Sequence, residues 1–188
     1  MLSLAAGGPG YVAVGNGGPW YSLDGSDWTH AQAPPAPTEF FASQGFGAPE
    51  VSMRAIAVDG DRLVAWGTAS RHTEDSGLVV PVTWASSDGR TWTNVLSPGG
   101  SAAMAAGPGG FVAADDATGQ VVVRMSADGD AWEQVDALGP ARSEDAGGQV
   151  SELGVSSIAA SDAGFVAAGQ VGPRASSGSS AHASRPMC

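Results

Sequence analysis

The side chains best equipped for chemistry in this sequence are paired acids. Glu74-Asp75, Asp115-Asp116 and Glu144-Asp145 each set two carboxylates next to each other. Two carboxyl groups flanking a glycosidic bond can serve as acid and base, or as acid and nucleophile. Neighbours on one strand point to opposite faces, however, so a pair in sequence is not a pair in space. The three pairs read as solvated loop acids. Metal chemistry has less to work with. His30, His72 and His182 stand apart, and Cys188 is the single cysteine, so no cluster has metal-ligand spacing. Asp59-Gly60-Asp61 and Asp128-Gly129-Asp130 are too short for a calcium loop, whose ligands spread over about twelve residues. Gly107-Pro108-Gly109-Gly110 lacks the Lys-Ser/Thr that follows a phosphate-binding loop. No metal and no cofactor is expected.

One polar pattern recurs. Ser22-Leu23-Asp24-Gly25-Ser26-Asp27-Trp28, Ser86-Ser87-Asp88-Gly89-Arg90-Thr91-Trp92 and Ser126-Ala127-Asp128-Gly129-Asp130-Ala131-Trp132 share the form Ser-x-Asp-Gly-x-x-Trp. Asp-Gly between apolar runs is a strong hairpin signal, because Gly takes φ > 0 and Asp bonds its own backbone. Asp24, Asp88 and Asp128 therefore read as turn acceptors, and each Trp as an apolar plug across its hairpin.

A second repeat runs in phase with the first. Leu4-Ala5-Ala6, Ile56-Ala57-Val58, Met104-Ala105-Ala106 and Ile158-Ala159-Ala160 each precede a short turn. After the turn come Tyr11-Val12-Ala13-Val14-Gly15, Leu63-Val64-Ala65-Trp66-Gly67, Phe111-Val112-Ala113-Ala114 and Phe165-Val166-Ala167-Ala168-Gly169. Tyr11, Leu63, Phe111 and Phe165 are separated by 52, 48 and 54 residues, a constant core with variable loops. Each unit reads as four short strands, and such units describe the blades of a β-propeller.

The Ser-x-Asp-Gly-x-x-Trp units resemble the Asp-box, or BNR, repeat of sialidase-type β-propellers, whose commoner form is one residue longer between Asp and Trp. The resemblance spans residues 2–171 and implies an all-β fold: a β-propeller with four-stranded antiparallel blades, about three and a half of them present, not closed. The blades are expected at approximately 2–32, 53–97 and 101–136, with an incomplete fourth at 155–171. From Gly172 onward the pattern fails, and the Ser/Ala/Gly-rich tail 172–188 is expected to be disordered. So short an array is expected to be a fragment of a longer propeller.

Composition removes other classes. Eight basic residues face 19 acids, for a net charge of −11, which excludes the basic stripe of a nucleic-acid binder. No run of about 18 apolar residues exists, so no membrane span is expected. A single cysteine excludes a disulfide scaffold.

In an antiparallel meander the connections alternate between two ends. The tight turns fall at one end, and the long segments 31–52, 68–77 and 137–154 fall together at the other. That loop face is the candidate binding face. Its candidate residues are Phe40, Phe41, Phe46, Arg71, His72, Glu74, Asp75, Arg142, Glu144 and Asp145. The acids there outnumber the bases, which favours neutral or cationic partners.

A sialidase resemblance would imply three arginines gripping a carboxylate, a Tyr nucleophile with a Glu base, and an acid/base Asp. Tyr11 instead fills the core slot of Leu63, Phe111 and Phe165, and Tyr21 stands where Ala85 and Met125 stand. Arg54, Arg62 and Arg90 fall at different positions in their units, so no triad is visible. The reading is a non-catalytic interaction module for a protein or glycan. The alternative is a fragment of a sialidase-like or other glycoside hydrolase with its catalytic residues outside this chain. Self-association through open blade edges is a further expectation. The resemblance implies an extracellular or cell-envelope parent protein.

Overall fold

Short apolar runs broken by glycine turns can satisfy their backbone only by pairing with one another. A computed structural model describes residues 3–8, 10–74, 76–95, 101–115, 120–140, 142–144, 150–161 and 164–173, and there the chain forms four antiparallel sheets. The first sheet holds β1 (Ser3–Gly7), β2 (Gly10–Gly15), β3 (Gly18–Ser22) and β4 (Thr29–His30) in that order. The second holds β5 (Glu50–Asp59), β6 (Arg62–His72), β7 (Gly77–Ser86) and β8 (Thr93–Val95). The third holds β9 (Ser101–Gly107), β10 (Gly110–Asp115), β11 (Gln120–Ser126) and β12 (Glu133–Pro140). The fourth has β14 (Val150–Ser161) between β13 (Arg142–Glu144) and β15 (Gly164–Pro173). The helix α1 (Thr38–Ser43) lies between the first two sheets in sequence.

The fold class expected from the repeat is the one formed: all-β, with propeller-type meander blades that do not close. The sheets stack in chain order, and the leading strand of each following sheet lies against the sheet before it. The repeat explains the packing. One face of each sheet carries the slot filled by Val12, Val64, Val112 and Val166. The opposite face carries the slot of Tyr11, Leu63, Phe111 and Phe165. Val12 and Val14 of the first sheet pack with Ile56, Leu63, Ala65, Trp84 and Trp92 of the second. Ala57 and Val64 of the second sheet pack with Met104, Phe111 and Ala113 of the third. Ala103, Ala114 and Val121 of the third pack with Val155 of the fourth.

Tyr11 departs from the expected core role, because it is 39% exposed. Among the described residues no other sheet packs on its face of the first sheet. The Trp plugs divide for the same reason. Trp92 is buried in the cluster between the first and second sheets, and Trp132 packs against the next cluster. Trp28, in the first sheet's turn, stays at the surface.

The long connections also differ from simple loops. Segment 68–77 continues β6 and β7 as a hairpin, with Arg71 opposite Leu78 and His72 opposite Gly77. Its turn is closed by Thr73 and Ser76, whose backbone N–H···O distance is 2.7 Å. Strand propensity explains the extension, since Leu78, Val79 and Val80 continue the β pattern. Segment 137–154 contains the end of β12, all of β13 and the start of β14. The tail from 174 onward, Asp75, Asp116 and Asp145 lie outside the described residues.

Candidate functional site

The leading strands β1, β5, β9 and β14 surround a common cavity of about 670 Å³. Ser3, Ser52, Arg54, Ala55, Ala103, Met104, Ser156, Ser157 and Ile158 line it from those strands, with Asn16 and Trp66 beside them. That volume falls within the ~300–1,000 Å³ typical of small-molecule pockets.

β-Bulges shape this lining. The pairing of β5 with β6 shifts register between Met53 and Ala55, which leaves Arg54 as the extra residue. The pairing of β14 with β15 shifts between Val155 and Ser157, which leaves Ser156. A shift in the third sheet lies at the matching place, where Ala103 pairs with Ala114 and Ser101 with Asp115. A bulge interrupts the in–out alternation and re-aims side chains. Accordingly Arg54 and Ala55, and Ser156 and Ser157, line the cavity as consecutive residues. Glycine stands across from two of the bulges. A Cβ on Gly67 would lie 1.9 Å from the Ser52 carbonyl oxygen, and one on Gly169 would lie 2.1 Å from that of Gly154.

The lining mixes the polar Ser3, Asn16, Ser52, Arg54, Ser156 and Ser157 with apolar Ala55, Trp66, Ala103, Met104 and Ile158. Among the described lining residues none is Asp, Glu, His, Cys or Tyr. The Ser52 hydroxyl donates to Asn16 Oδ1 at 2.7 Å, which leaves the Asn16 amide nitrogen free to donate elsewhere. Arg54 is exposed to the cavity, and no carboxylate pairs with it among the described residues. Three other arginines are engaged. Arg62 pairs with Asp130 and Arg124 with Asp115. Arg90 stacks over the Tyr21 ring, 4.5 Å from its centroid.

The candidate loop residues are distributed differently from one another. Phe41, on α1, is fully buried and edge-on to Phe46; it belongs to the cluster between the first two sheets, and Phe46 packs against it. They anchor the link. Phe40 is exposed beside them. Arg71, His72 and Glu74 are exposed around the tip of the β6–β7 hairpin. Arg142 and Glu144 occupy β13, opposite Glu152 and Val150. The Asn16–Ser52 bridge joins the β2–β3 turn to the start of β5, and β14 meets them at the cavity through Ser156, Ser157 and Ile158. Asp115 corrects the reading of solvated acids, since it is buried in β10 against Arg124.

The three Ser-x-Asp-Gly turns lie at the opposite end and form nearly identical networks. In the second, the Gly89 amide donates to Ser86 Oγ at 2.9 Å. The Arg90 and Thr91 amides each donate to Asp88 Oδ1 at 2.8 Å. The Thr91 hydroxyl donates to Asp88 Oδ2 at 2.6 Å. Burial pushes the Asp88 carboxyl up, but these donors and Ser86 outweigh it and hold the pKa at about 2. Backbone amides also lower Asp24 (from Asp27 and Ser26) and Asp128 (from Asp130 and Ala131). Such carboxylates accept bonds as turn anchors and are poor proton donors near neutral pH.

A pH dependence follows from the sign of these shifts. A carboxylate lowered by folding stabilises the fold above its ordinary value of 3.8 and ceases to do so as pH falls through its folded value. The difference in melting temperature between the wild type and Asp88→Asn is expected to be largest above pH 4 and to shrink toward pH 2. Thermal melts across that range check it. A constant difference would contradict the assignment.

No family model matches the chain, and no curated protein matches it. Among solved structures it is similar to the Bombyx mori GH32 beta-fructofuranosidase BmSUC1, at a TM-score of 0.30 and 17% sequence identity. The match covers 78% of this chain and 35% of that one. No helix among the described residues is long and apolar enough to cross a membrane.

The sequence reading missed the cavity residues Asn16, Ser52, Ser156 and Ser157. It noted Arg54 only as one member of an absent triad. A signal was present, however. Gly15, Gly67 and Gly169 close the matching apolar run of three repeats, and Gly67 and Gly169 lie inside their strands. A recurrent strand glycine marks a bulge or a close backbone approach.

Proposed function

We propose that this chain is a non-catalytic binding module that takes a protein or glycan on its loop face. The observation that carries the reading is the axial cavity, which offers hydrogen-bond donors and a guanidinium but no acid–base pair among its described lining residues. General acid–base hydrolysis of a glycoside needs two carboxyl groups about 5–10 Å apart across the bond. Recognition needs only convergent polar groups in a preformed hollow. Phe40 and Arg71 are exposed on two of the segments that this reading assigns to the binding face. The location of Arg54 modifies the charge argument: acids outnumber bases in the long segments of the sequence, yet the cavity lining carries a cation.

The test is capture of glycans on an array, and of peptides from a displayed library, by the full chain. Arg54→Gln and Phe40→Ser are expected to lower the captured signal about tenfold or more, while Glu133→Gln at the tight-turn end leaves it unchanged. Both target residues are exposed, so the fold is expected to persist, which far-ultraviolet circular dichroism verifies. Capture that ignores both substitutions would overturn the reading. Turnover of fluorogenic glycosides by the chain would overturn it as well.

A further inference from the structure

The hairpin between β2 and β3 turns on Asn16-Gly17, since Gly15 pairs with Gly18. The chain holds two asparagines. Asn94 lies in β8 and is followed by Val95, whose stiff branched side chain crowds the next amide. Asn16 is exposed and is followed by a residue with no side chain at all. Gly17 has a φ of 94°, and nothing lies within 4 Å of where its Cβ would stand. The Asn16 carboxamide is also engaged in a particular way. The Ser52 hydroxyl donates to its Oδ1 at 2.7 Å, and the Asn16–Ser52 bridge keeps the two residues side by side. A donor on that oxygen draws electrons from Cγ. It also stabilises the negative charge that collects on Oδ1 when a nucleophile adds there.

We infer that Asn16 is a site of spontaneous deamidation, promoted by the Ser52 hydroxyl. The Gly17 backbone nitrogen gives its proton to solvent and adds to Asn16 Cγ, closing a cyclic imide. The Cγ–Nδ2 bond breaks, and the nitrogen takes a proton from water and leaves as ammonia. Water then opens the imide. Opening at Cγ leaves aspartate, and opening at the backbone carbonyl leaves isoaspartate, whose chain runs through Cβ and Cγ. Nothing is oxidised or reduced, and water is the sole co-reactant. The Asp-Gly pairs of the three box turns are poorer substrates for the same closure. Asp24, Asp88 and Asp128 are held as carboxylates by their turn donors, and a carboxylate resists addition. Asn16 and Arg54 line the same cavity, so either product adds a negative charge to a lining that carries a cation. Isoaspartate also adds a methylene to the turn and disturbs the Gly15–Gly18 register. This inference is independent of what the loop face binds.

The experiment ages the full chain in mildly alkaline buffer, cuts it with trypsin and follows the fragments by mass spectrometry. Arg54 is the first basic residue, so 1–54 is one fragment with Asn16 as its one asparagine, and 91–124 carries Asn94. The first fragment is expected to gain the mass of an amide-to-acid exchange with time, at Asn16, with part of it labelled by an isoaspartyl methyltransferase. The second fragment is expected to stay unchanged. Gly17→Ala is expected to slow the gain about tenfold or more, because a methyl group then obstructs the attacking nitrogen. Ser52→Ala is expected to slow it about threefold or more, by removing the donor on Oδ1. Circular dichroism verifies that both variants stay folded. A hydroxyl that merely restrained Asn16 would give the opposite sign, so faster reaction in Ser52→Ala would overturn the inference. So would a first fragment that never gains mass, or equal gain at Asn94.

Discussion

Trp84→Ala is expected to lower the stability of the chain by about 3–5 kcal/mol, the range for emptying a buried aromatic site. Trp84 is completely buried at the junction of the first two sheets. Its indole N–H also donates to the Pro35 carbonyl at 2.7 Å and so ties the link over α1 to the second sheet. Truncation leaves a cavity and an unpartnered carbonyl together. Trp20 occupies the same repeat slot one sheet earlier. In dilute protein Trp20→Ala is expected to change stability by less than about 1 kcal/mol, as a surface substitution does. Urea unfolding of both variants at low concentration makes the comparison. Equal losses would mean that a sheet or segment covers Trp20 in the single copy.

Gly67→Ala is expected to cost about 1–3 kcal/mol, the range for forcing atoms into a packed position. Its new Cβ would collide with the Ser52 carbonyl, and backbone cannot swing aside as a side-chain tip can. The strands must separate at the bulge, which displaces Arg54 and Ser52 together. The variant should therefore lose ligand capture at temperatures where it remains folded. Gly17→Ala is a control on the adjacent turn of the first sheet, with nothing near its Cβ. Its cost comes only from its positive φ of 94°. Denaturant melts combined with the capture assay separate loss of fold from loss of site.

Much of the fold was legible because its determinants are local and repeated. Asp-Gly turns and the aromatic-Val-Ala runs fixed the hairpins, and their recurrence fixed the sheet order. The extended β6–β7 hairpin was not legible, since the polar and charged run Ser70-Arg71-His72-Thr73-Glu74 reads as a loop and masks the strand signal of Leu78, Val79 and Val80. Tyr11 misled for a different reason. Its slot is apolar in every copy, but burial depends on whether a neighbouring sheet exists, and a residue's own type does not record that. Phe40 and Phe41 could not be told apart by type either. Only the orientation of α1 puts one ring under the link and the other in solvent. The candidate site was the least legible part. It is assembled from strand residues of four repeats, and bulges break the period-two rule from which facing is inferred.

The central claim is that recognition occurs at the loop face and the axial cavity, while the Ser-x-Asp-Gly turns at the other end are structural. Hydrogen–deuterium exchange on the full chain tests it most directly, with and without the glycan or peptide that the chain captures most strongly. The account predicts slowed exchange at 50–55, at the β2–β3 turn around Asn16 and Gly17, and at 154–158, with the turns at 24–28, 88–92 and 128–132 unchanged. Protection confined to those three turns would contradict it.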